Sequence, residues 1–220
     1  MGNSYKILYE GRSAEIVEKK SRFIAYLLPV ENGEEAVAFI EKIKKENWDA
    51  RHNCYAFVVG QNNELQRFSD DGEPGGTAGK PMLDVLLKEG IHNCVVVVTR
   101  YFGGVLLGTG GLVRAYSKAV KEGLKASIIK EKVLGEEIVI TTDYNGIGKI
   151  QYIIAEMNIK IHEEEYTDVV KVTLKIRKEN CDKFINDVTE ATAGKVVVRD
   201  REECWFLEET SVEYDEEDDI

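Results

Sequence analysis

The stretch that decides the fold runs from Val95 to Arg114 and reads VVVVTRYFGGVLLGTGGLVR. Its first five residues are β-branched, and the valine run is uniformly apolar, which is typical of a central strand buried on both faces. A glycine-rich segment, 103–111, follows and leads into residues 110–126, where apolar residues recur at helical spacing. The stretch therefore predicts a buried strand, a glycine-rich loop and a helix in immediate succession.

The glycine-rich loop is a candidate ligand-binding segment. Gly108, Gly110 and Gly111 allow a ligand to approach the backbone closely, and Thr109 is a predicted cap of the helix. The first N–H groups of a helix and its dipole favour an anion. The alternative is a tight strand-to-helix turn that binds nothing.

Charged and aromatic side chains flank this loop. Arg100 and Arg114 would meet the charge of an anion, and Tyr101 and Phe102 would stack on bases. The candidate site on this stretch therefore comprises Arg100, Tyr101, Phe102, Gly103, Gly104, Gly108, Thr109, Gly110, Gly111 and Arg114.

A second polar segment, residues 69–81, reads SDDGEPGGTAGKP. Its carboxylates could hold Mg²⁺, but the same composition suits an acidic turn. We favour a third interpretation, in which the carboxylates pair with nearby cations and hold the loops rigid. We therefore assign no metal and no cofactor. The residues concerned are Asp70, Asp71, Glu73, Thr77 and Lys80, with Arg51, Arg100 and Lys80 as the candidate cations.

A third segment, residues 50–56, places Arg51 and His52 at the mouth of a predicted strand. An ordinary imidazole pKa of about 6.5 makes His52 a candidate acid or base. No carboxylate neighbours it in the sequence, however, and a lone histidine is more often a simple hydrogen-bonding residue. The P-loop, dinucleotide-binding and nucleophile-elbow motifs are not matched. We therefore predict that Arg51 and His52 bind ligand, and we assign no catalytic residue.

The remaining pattern predicts an α+β protein of two domains. Two strands within 13–30, a helix over 33–47, a hairpin over 54–68 and a short helix over 82–89 precede the central strand. The first domain, residues 1–128, therefore has the order β-β-α-β-β-α-β-α.

The second half has a cleaner periodicity. The pattern lapses over 127–136, where we predict a linker. Residues 134–203 then follow the order β-α-β-β-α-β of the ferredoxin-like split βαβ unit. Residues 204–220 are predicted to be an acidic, mostly disordered tail.

Charge and cysteine usage set limits on partners and compartment. The formal net charge is −11, but without residues 202–220 the chain has 30 acids and 29 bases. The balanced body permits an anionic partner and argues against indiscriminate nucleic-acid binding. The four cysteines form no C-x-x-C pair, which suits reduced thiols. Without a signal core or a membrane-length apolar run, we predict a cytoplasmic protein with no membrane partner.

Together, the three polar segments resemble the IMPACT/YigZ family. The resemblance rests on RHNCYA at 51–56, on the 69–81 segment quoted above and on RYFGG with LGTGGLVRAY within 100–116, and it extends over about residues 5–128. The second half is similar to the C-terminal domain of the bacterial YigZ type. The acidic tail is not part of that pattern.

The resemblance implies a first domain similar to domain IV of elongation factor G and to the GHMP class of small-molecule kinases. It implies a second domain similar to domain V of that factor. Eukaryotic relatives act in translational control through an additional N-terminal domain that these 220 residues do not contain, so we do not transfer that role. The resemblance implies an association with RNA or the ribosome and establishes no reaction.

Three hypotheses about function follow. The leading one is a translation-associated regulatory protein, without its own catalysis, that binds RNA or a ribosome-associated factor. The alternative is an enzyme or sensor that binds a phosphorylated small molecule at the glycine-rich loop, with magnesium on the nearby carboxylates. The third is a protein-interaction scaffold.

Overall fold

A computed structural model describes residues 3–209 of the chain, which form eleven strands and five helices. Two compact units divide between Glu131 and Lys132. In chain order the elements are β1 (Ser4–Glu10), β2 (Ser13–Glu18), β3 (Ser21–Pro29), α1 (Gly33–Glu46), β4 (His52–Val59), β5 (Leu65–Ser69), α2 (Gly79–Lys88), β6 (Ile91–His92), β7 (Cys94–Tyr101), α3 (Thr109–Ala126), β8 (Ile128–Thr142), α4 (Ile147–Glu156), β9 (Ile161–Tyr166), β10 (Val170–Arg177), α5 (Lys178–Ala191) and β11 (Val197–Glu209).

The first unit, Tyr5–Glu131, is built on a five-stranded antiparallel sheet with the strand order β2-β3-β7-β4-β5. The valine run of β7 lies in its centre, as predicted, and Val95–Val98 have no exposed surface. Successive side chains of a strand point to opposite faces. Val96 and Val98 accordingly pack in the core formed with α2 and α3, and Val95 and Val97 in the core formed with α1. A helix layer on each face explains why the run is apolar throughout.

Helix α1 begins where local side chains satisfy its first N–H groups. The Asn32 Oδ1 accepts a hydrogen bond from the Glu35 backbone N–H at 2.9 Å, and the Glu35 carboxylate accepts one from the Glu31 backbone N–H at 2.9 Å. These reciprocal bonds resemble a capping box. The apolar stripe of α1 then meets the sheet through Ala36, Ile40 and Ile43. The predicted helix at 33–47 is thereby confirmed.

The second unit, over Lys132–Glu208, has the predicted element order β-α-β-β-α-β. Its strands are arranged β11-β8-β10-β9, with β10 antiparallel to both β8 and β9. Alternate residues of β10, from Val170 to Ile176, are buried against α4 and α5. The α+β class and the order of elements predicted for this half are confirmed.

The two units divide within the predicted stretch 127–136, but an irregular linker there is wrong, because residues 128–136 lie in the long strand β8. Ile129 and Val133 are buried there, while Lys130 and Lys132 between them gave the segment the composition of a linker. The sequence interpretation also missed β1 and β6, which pair in parallel with Lys6 opposite Ile91. Short strands whose partners are distant in sequence leave little local signal.

The predicted disorder is wrong for residues 204–209, which belong to β11. Several charged residues of this strand have ion-pair partners in the second unit: Arg201 pairs with Glu136, Glu203 with Lys178, and Glu208 with Arg177. The acidic composition that predicted a tail is thus partly neutralised. The remainder of the predicted tail, 210–220, lies outside the described residues. None of the helices described is long and apolar enough to cross a bilayer.

Trypsin should not cleave after Lys130 or Lys132 in the native protein. A protease cleaves backbone that is free of secondary structure, and both residues lie inside β8. The measurement is a time course followed by mass spectrometry. Digestion in denaturant, where both sites are open, is the control. Early native fragments of about 14 and about 10 kDa, ending at these lysines, would show that the segment is a linker after all.

Candidate functional site

The three polar segments meet at one end of the first unit. β4 begins and β7 ends there, since His52 lies opposite Arg100, and β5 ends beside them with Ser69 opposite Tyr55. Helices α2 and α3 both begin after strands that end here. We refer to residues 47–52, 69–80 and 100–114 as the loop end. It contains every site residue predicted from the sequence.

The interior of the loop end is organised by an ion pair between Arg100 and Glu73. The Arg100 Nη1 lies 2.6 Å from the Glu73 Oε1, and their side chains are only 7% and 3% exposed. The Tyr116 hydroxyl, from α3, donates to the same Oε1 at 2.8 Å. The prediction that Arg100 meets an external anion is therefore wrong, because its charge is neutralised inside the protein. The interpretation that Glu73 pairs with Arg100 and fixes the loops is correct.

Asp70 occupies the N-terminus of α2. Its Oδ1 accepts hydrogen bonds from the backbone N–H groups of Ala78 and Gly79, and its Oδ2 accepts one from Gly76. Partial burial acts to raise the pKa of Asp70, but these three hydrogen bonds outweigh it and the pKa is lowered. The N–H groups of Gly76, Ala78 and Gly79, before and at the start of α2, are therefore already bound to a carboxylate of the protein.

Asp71 and His52 connect the acidic loop to β4 and α1. One Asp71 oxygen lies 3.0 Å from the Lys44 Nζ, and the other accepts the Asn53 backbone N–H at 2.7 Å. The His52 Nδ1 lies 2.9 Å from the Asp71 carbonyl oxygen. The side chains of Asp70, Asp71 and Glu73 have six carboxylate oxygens, and five of them have partners among residues 3–209. A magnesium ion at these oxygens would therefore have to displace existing bonds. The cation on Asp71 is Lys44, which the sequence did not indicate.

Several predicted ligand-binding residues have structural roles instead. A Cβ on Gly103 would lie 2.0 Å from the Lys20 carbonyl oxygen, and the Gly103 N–H donates to the Ser21 Oγ. The Thr77 hydroxyl donates to the Pro74 carbonyl within the acidic loop. Gly103 is therefore required where the loop crosses the β2–β3 turn, and Thr77 stabilises its own loop.

The start of α3 differs from the prediction in its cap. The N-cap is Gly108, at φ 75°, and not Thr109, and within residues 3–209 no side chain caps the first N–H groups. A positive φ favours glycine, which explains Gly108 as it explains Gly104 at φ 84°. Unlike the N-terminus of α2, this helix N-terminus binds no carboxylate from the part of the chain that the structure describes.

The positive groups that remain on the surface are Arg51 and Arg114. Both are exposed, and neither has an ion pair among residues 3–209. Lys80, by contrast, pairs with Asp84 one turn later in α2. Phe102 is 46% exposed, and the Arg100 guanidinium lies 5.6 Å from its ring centre. The loop end therefore presents two unpaired arginines, an aromatic ring and the exposed Asp49 on its surface, while Glu73 is buried and protein groups bind Asp70 and Asp71.

Two tyrosines organise the site in ways that the sequence did not predict. Tyr116 appeared only as one position of the apolar stripe of α3. The Tyr101 hydroxyl donates to the side-chain oxygens of Asn47 and Asp49, at 3.2 Å each, so this ring supports the segment before β4. Tyr101 is therefore a supporting residue and not a free stacking surface. Helical periodicity reveals that a tyrosine is buried but not which carboxylate its hydroxyl meets.

Comparison with known proteins identifies the family. Residues 19–124 match the Impact N-terminal domain, and residues 140–195 match a domain of unknown function, DUF1949. The chain is 43% identical over 202 residues to the IMPACT family member YvyE of Bacillus subtilis (strain 168), covering 92% of this chain and 93% of that protein. The chain therefore belongs to the IMPACT family.

Two further relatives agree with this assignment. The IMPACT family member YigZ of Escherichia coli (strain K12) is 37% identical over 180 residues, covering 81% of this chain and 88% of the relative. A crystal structure of a hypothetical protein is similar at 34% sequence identity and a TM-score of 0.58, covering 90% of this chain and 97% of that one. Both domains are thus shared with relatives of nearly the same length.

Replacing Glu73 with Ala should destabilise the protein by about 3–5 kcal/mol, because the Arg100 charge would stay buried without its partner. Glu73→Gln, which keeps an acceptor for Tyr116, should cost less. The matched control is Glu15→Ala, which breaks the exposed pair with Arg22 and should cost under about 1 kcal/mol. The measurement is urea unfolding. Equal costs for Glu73→Ala and Glu15→Ala would contradict the role of the buried pair.

Proposed function

We propose that this IMPACT-family protein is a translation-associated regulatory protein that binds RNA at the loop end and catalyses no reaction there. The observation that carries the proposal is the sorting of charge. Among residues 3–209, Arg51 and Arg114 are exposed without an ion pair, whereas Glu73 is buried against Arg100 and backbone N–H groups bind Asp70. The family resemblance supports the translational setting.

The buried reactive groups favour binding over catalysis. Burial raises the pKa of the Cys54 thiol to about 12, and its Sγ lies 3.4 Å from the Tyr116 hydroxyl. Burial also raises the pKa of Tyr116 well above its ordinary value. A nucleophile or general base needs a pKa closer to the working pH and access to substrate. These groups have neither, so they fit a supporting role.

The distribution of the free cations favours RNA over a small phosphorylated molecule. Arg51 precedes β4, and Arg114 lies in α3, so the two charges come from separate segments of the loop end. A chain with repeated phosphates meets both charges, and each neutralised phosphate releases counterions. Phe102, also at the loop end, has an exposed ring on which a base can stack.

We place this function in the cytoplasm. Cys54, Cys94 and Cys181 are buried free thiols. Buried thiols without disulfide partners suit the reducing compartment in which ribosomes work. The partners we propose are accordingly RNA and ribosome-associated factors.

Arg51→Ala and Arg114→Ala should each weaken binding of a short single-stranded RNA and lower the log–log salt slope by about 0.7, because each removes one phosphate contact. Gly110→Asp should abolish binding without harming the fold, because a Cβ at Gly110 meets nothing closer than the Arg114 Nη1 at 3.7 Å. Its carboxylate would repel a phosphate at the start of α3. The measurement is fluorescence anisotropy over a salt series.

Arg199→Ala is the charge control, since Arg199 is exposed in β11 and should leave RNA affinity unchanged. A panel of nucleotides and sugar phosphates tests the alternative ligand, which would show a much shallower salt dependence. If every anion binds wild type and Gly110→Asp equally weakly, the loop is only a turn. The protein-interaction scaffold would then replace the RNA-binding proposal.

A further inference from the structure

Two highly exposed apolar side chains also lie at the loop end. Trp48 and Leu106 are each 82% exposed, more than any other large apolar side chain within residues 3–209. Trp48 lies in the segment between α1 and β4, and Leu106 in the loop between β7 and α3. Single exposed apolar residues are common on proteins, but an indole is a large surface to leave in water. The sequence pattern did not single out Trp48.

The backbone on both sides of Trp48 is held firmly although its ring is free. The Asn47 side-chain amide donates to the Ile43 carbonyl at 3.0 Å, and its Oδ1 accepts the Tyr101 hydroxyl at 3.2 Å. The Asp49 Oδ1 accepts the same hydroxyl at 3.2 Å. Tyr101 thus connects the residues before and after Trp48 to the end of β7. A ring presented from a fixed backbone loses little entropy when it stacks on a ligand.

The charges around Trp48 favour a polyanion weakly. Arg51, three residues later, is unpaired among the described residues, and Lys45 is exposed. Asp49 offsets one of these charges, and Lys44 is neutralised by Asp71. A ligand held here therefore gains little from charge alone. An aromatic face with a slight positive balance suits nucleobases on a phosphate chain.

We infer that Trp48 stacks on an unpaired base of single-stranded RNA and that the RNA runs across the loop end past Arg51. This inference rests on the RNA-binding function proposed above and names the form of RNA. In a duplex the bases are paired and stacked on each other, so an indole reaches them only in single strands, loops or ends. Stacking on Trp48 tolerates any base, since every base has an aromatic face.

The test uses the full chain with Trp205→Phe, which leaves Trp48 as the only tryptophan. Three probes of equal length separate the contributions: an oligouridylate, the same oligomer without bases, and an RNA duplex. Oligouridylate should quench Trp48 fluorescence, whereas the base-free oligomer and the duplex should not. In the two-tryptophan protein, Trp48→Ala should weaken oligouridylate binding by about 5- to 150-fold, and Trp48→Phe by about threefold at most.

The salt slope identifies how Trp48 contributes. Trp48→Ala should lower affinity and leave the slope unchanged, because an indole neutralises no phosphate, whereas Arg51→Ala should lower the slope. Tyr152→Ala, which removes an aromatic ring that is 69% exposed in the second unit, is the matched control and should change neither quantity. Unchanged thermal unfolding of Trp48→Ala would show that the fold is intact.

The outcomes separate this inference from the function beneath it. If oligouridylate and the base-free oligomer bind equally well, and only the arginine variants weaken them, then RNA binding holds and stacking on Trp48 is refuted. Tight binding of the duplex with Trp48 unquenched would refute it equally. If no oligomer binds and all variants behave alike, the RNA-binding function fails together with the inference.

Discussion

The rest of the loop end depends on the buried ion pair between Arg100 and Glu73. It joins the C-terminal end of the central strand β7 to the acidic loop. The Tyr116 hydroxyl donates to the same carboxylate and so connects α3 to both. Neither charge could remain in this interior without the other. The pair therefore fixes three segments that are distant in sequence, and it does so where the glycine-rich loop must leave the sheet.

This arrangement sorts the charges of one polar surface into two groups. The acids satisfy protein groups: Glu73 binds Arg100, Asp70 caps α2 and Asp71 binds Lys44. The cations that face solvent, Arg51 and Arg114, are left without internal partners among residues 3–209. The mixed charges of the sequence thus become, in the structure, acids bound by protein groups next to two unpaired arginines, with Asp49 exposed near Arg51. In the function proposed above, the α3 N-terminus would contact phosphate, and the exposed rings of Phe102 and Trp48 would contact nucleobases.

Local sequence patterns predicted those elements whose structure depends on residues close together in the sequence. The valine run identified the central strand, the glycine-rich stretch identified the turn into α3, and alternation identified β10. What it could not predict depended on partners far away in sequence. Lys130 and Lys132 made a long strand resemble a linker, and the strand-end Arg100 points inward because Glu73 is there to receive it. Thr109 was the expected cap, but the chain reaches α3 with a positive φ that favours Gly108.

The central claim is that RNA contacts the protein at the loop end of the first unit. Ultraviolet crosslinking of a short oligouridylate, followed by mass spectrometry of the crosslinked peptides, tests it most directly. Aromatic residues that stack on bases are favourable positions for such crosslinks. The account predicts crosslinks at Trp48 and Phe102, and their loss in Gly110→Asp. Crosslinks confined to Lys132–Glu208, or identical crosslinks in wild type and Gly110→Asp, would contradict it.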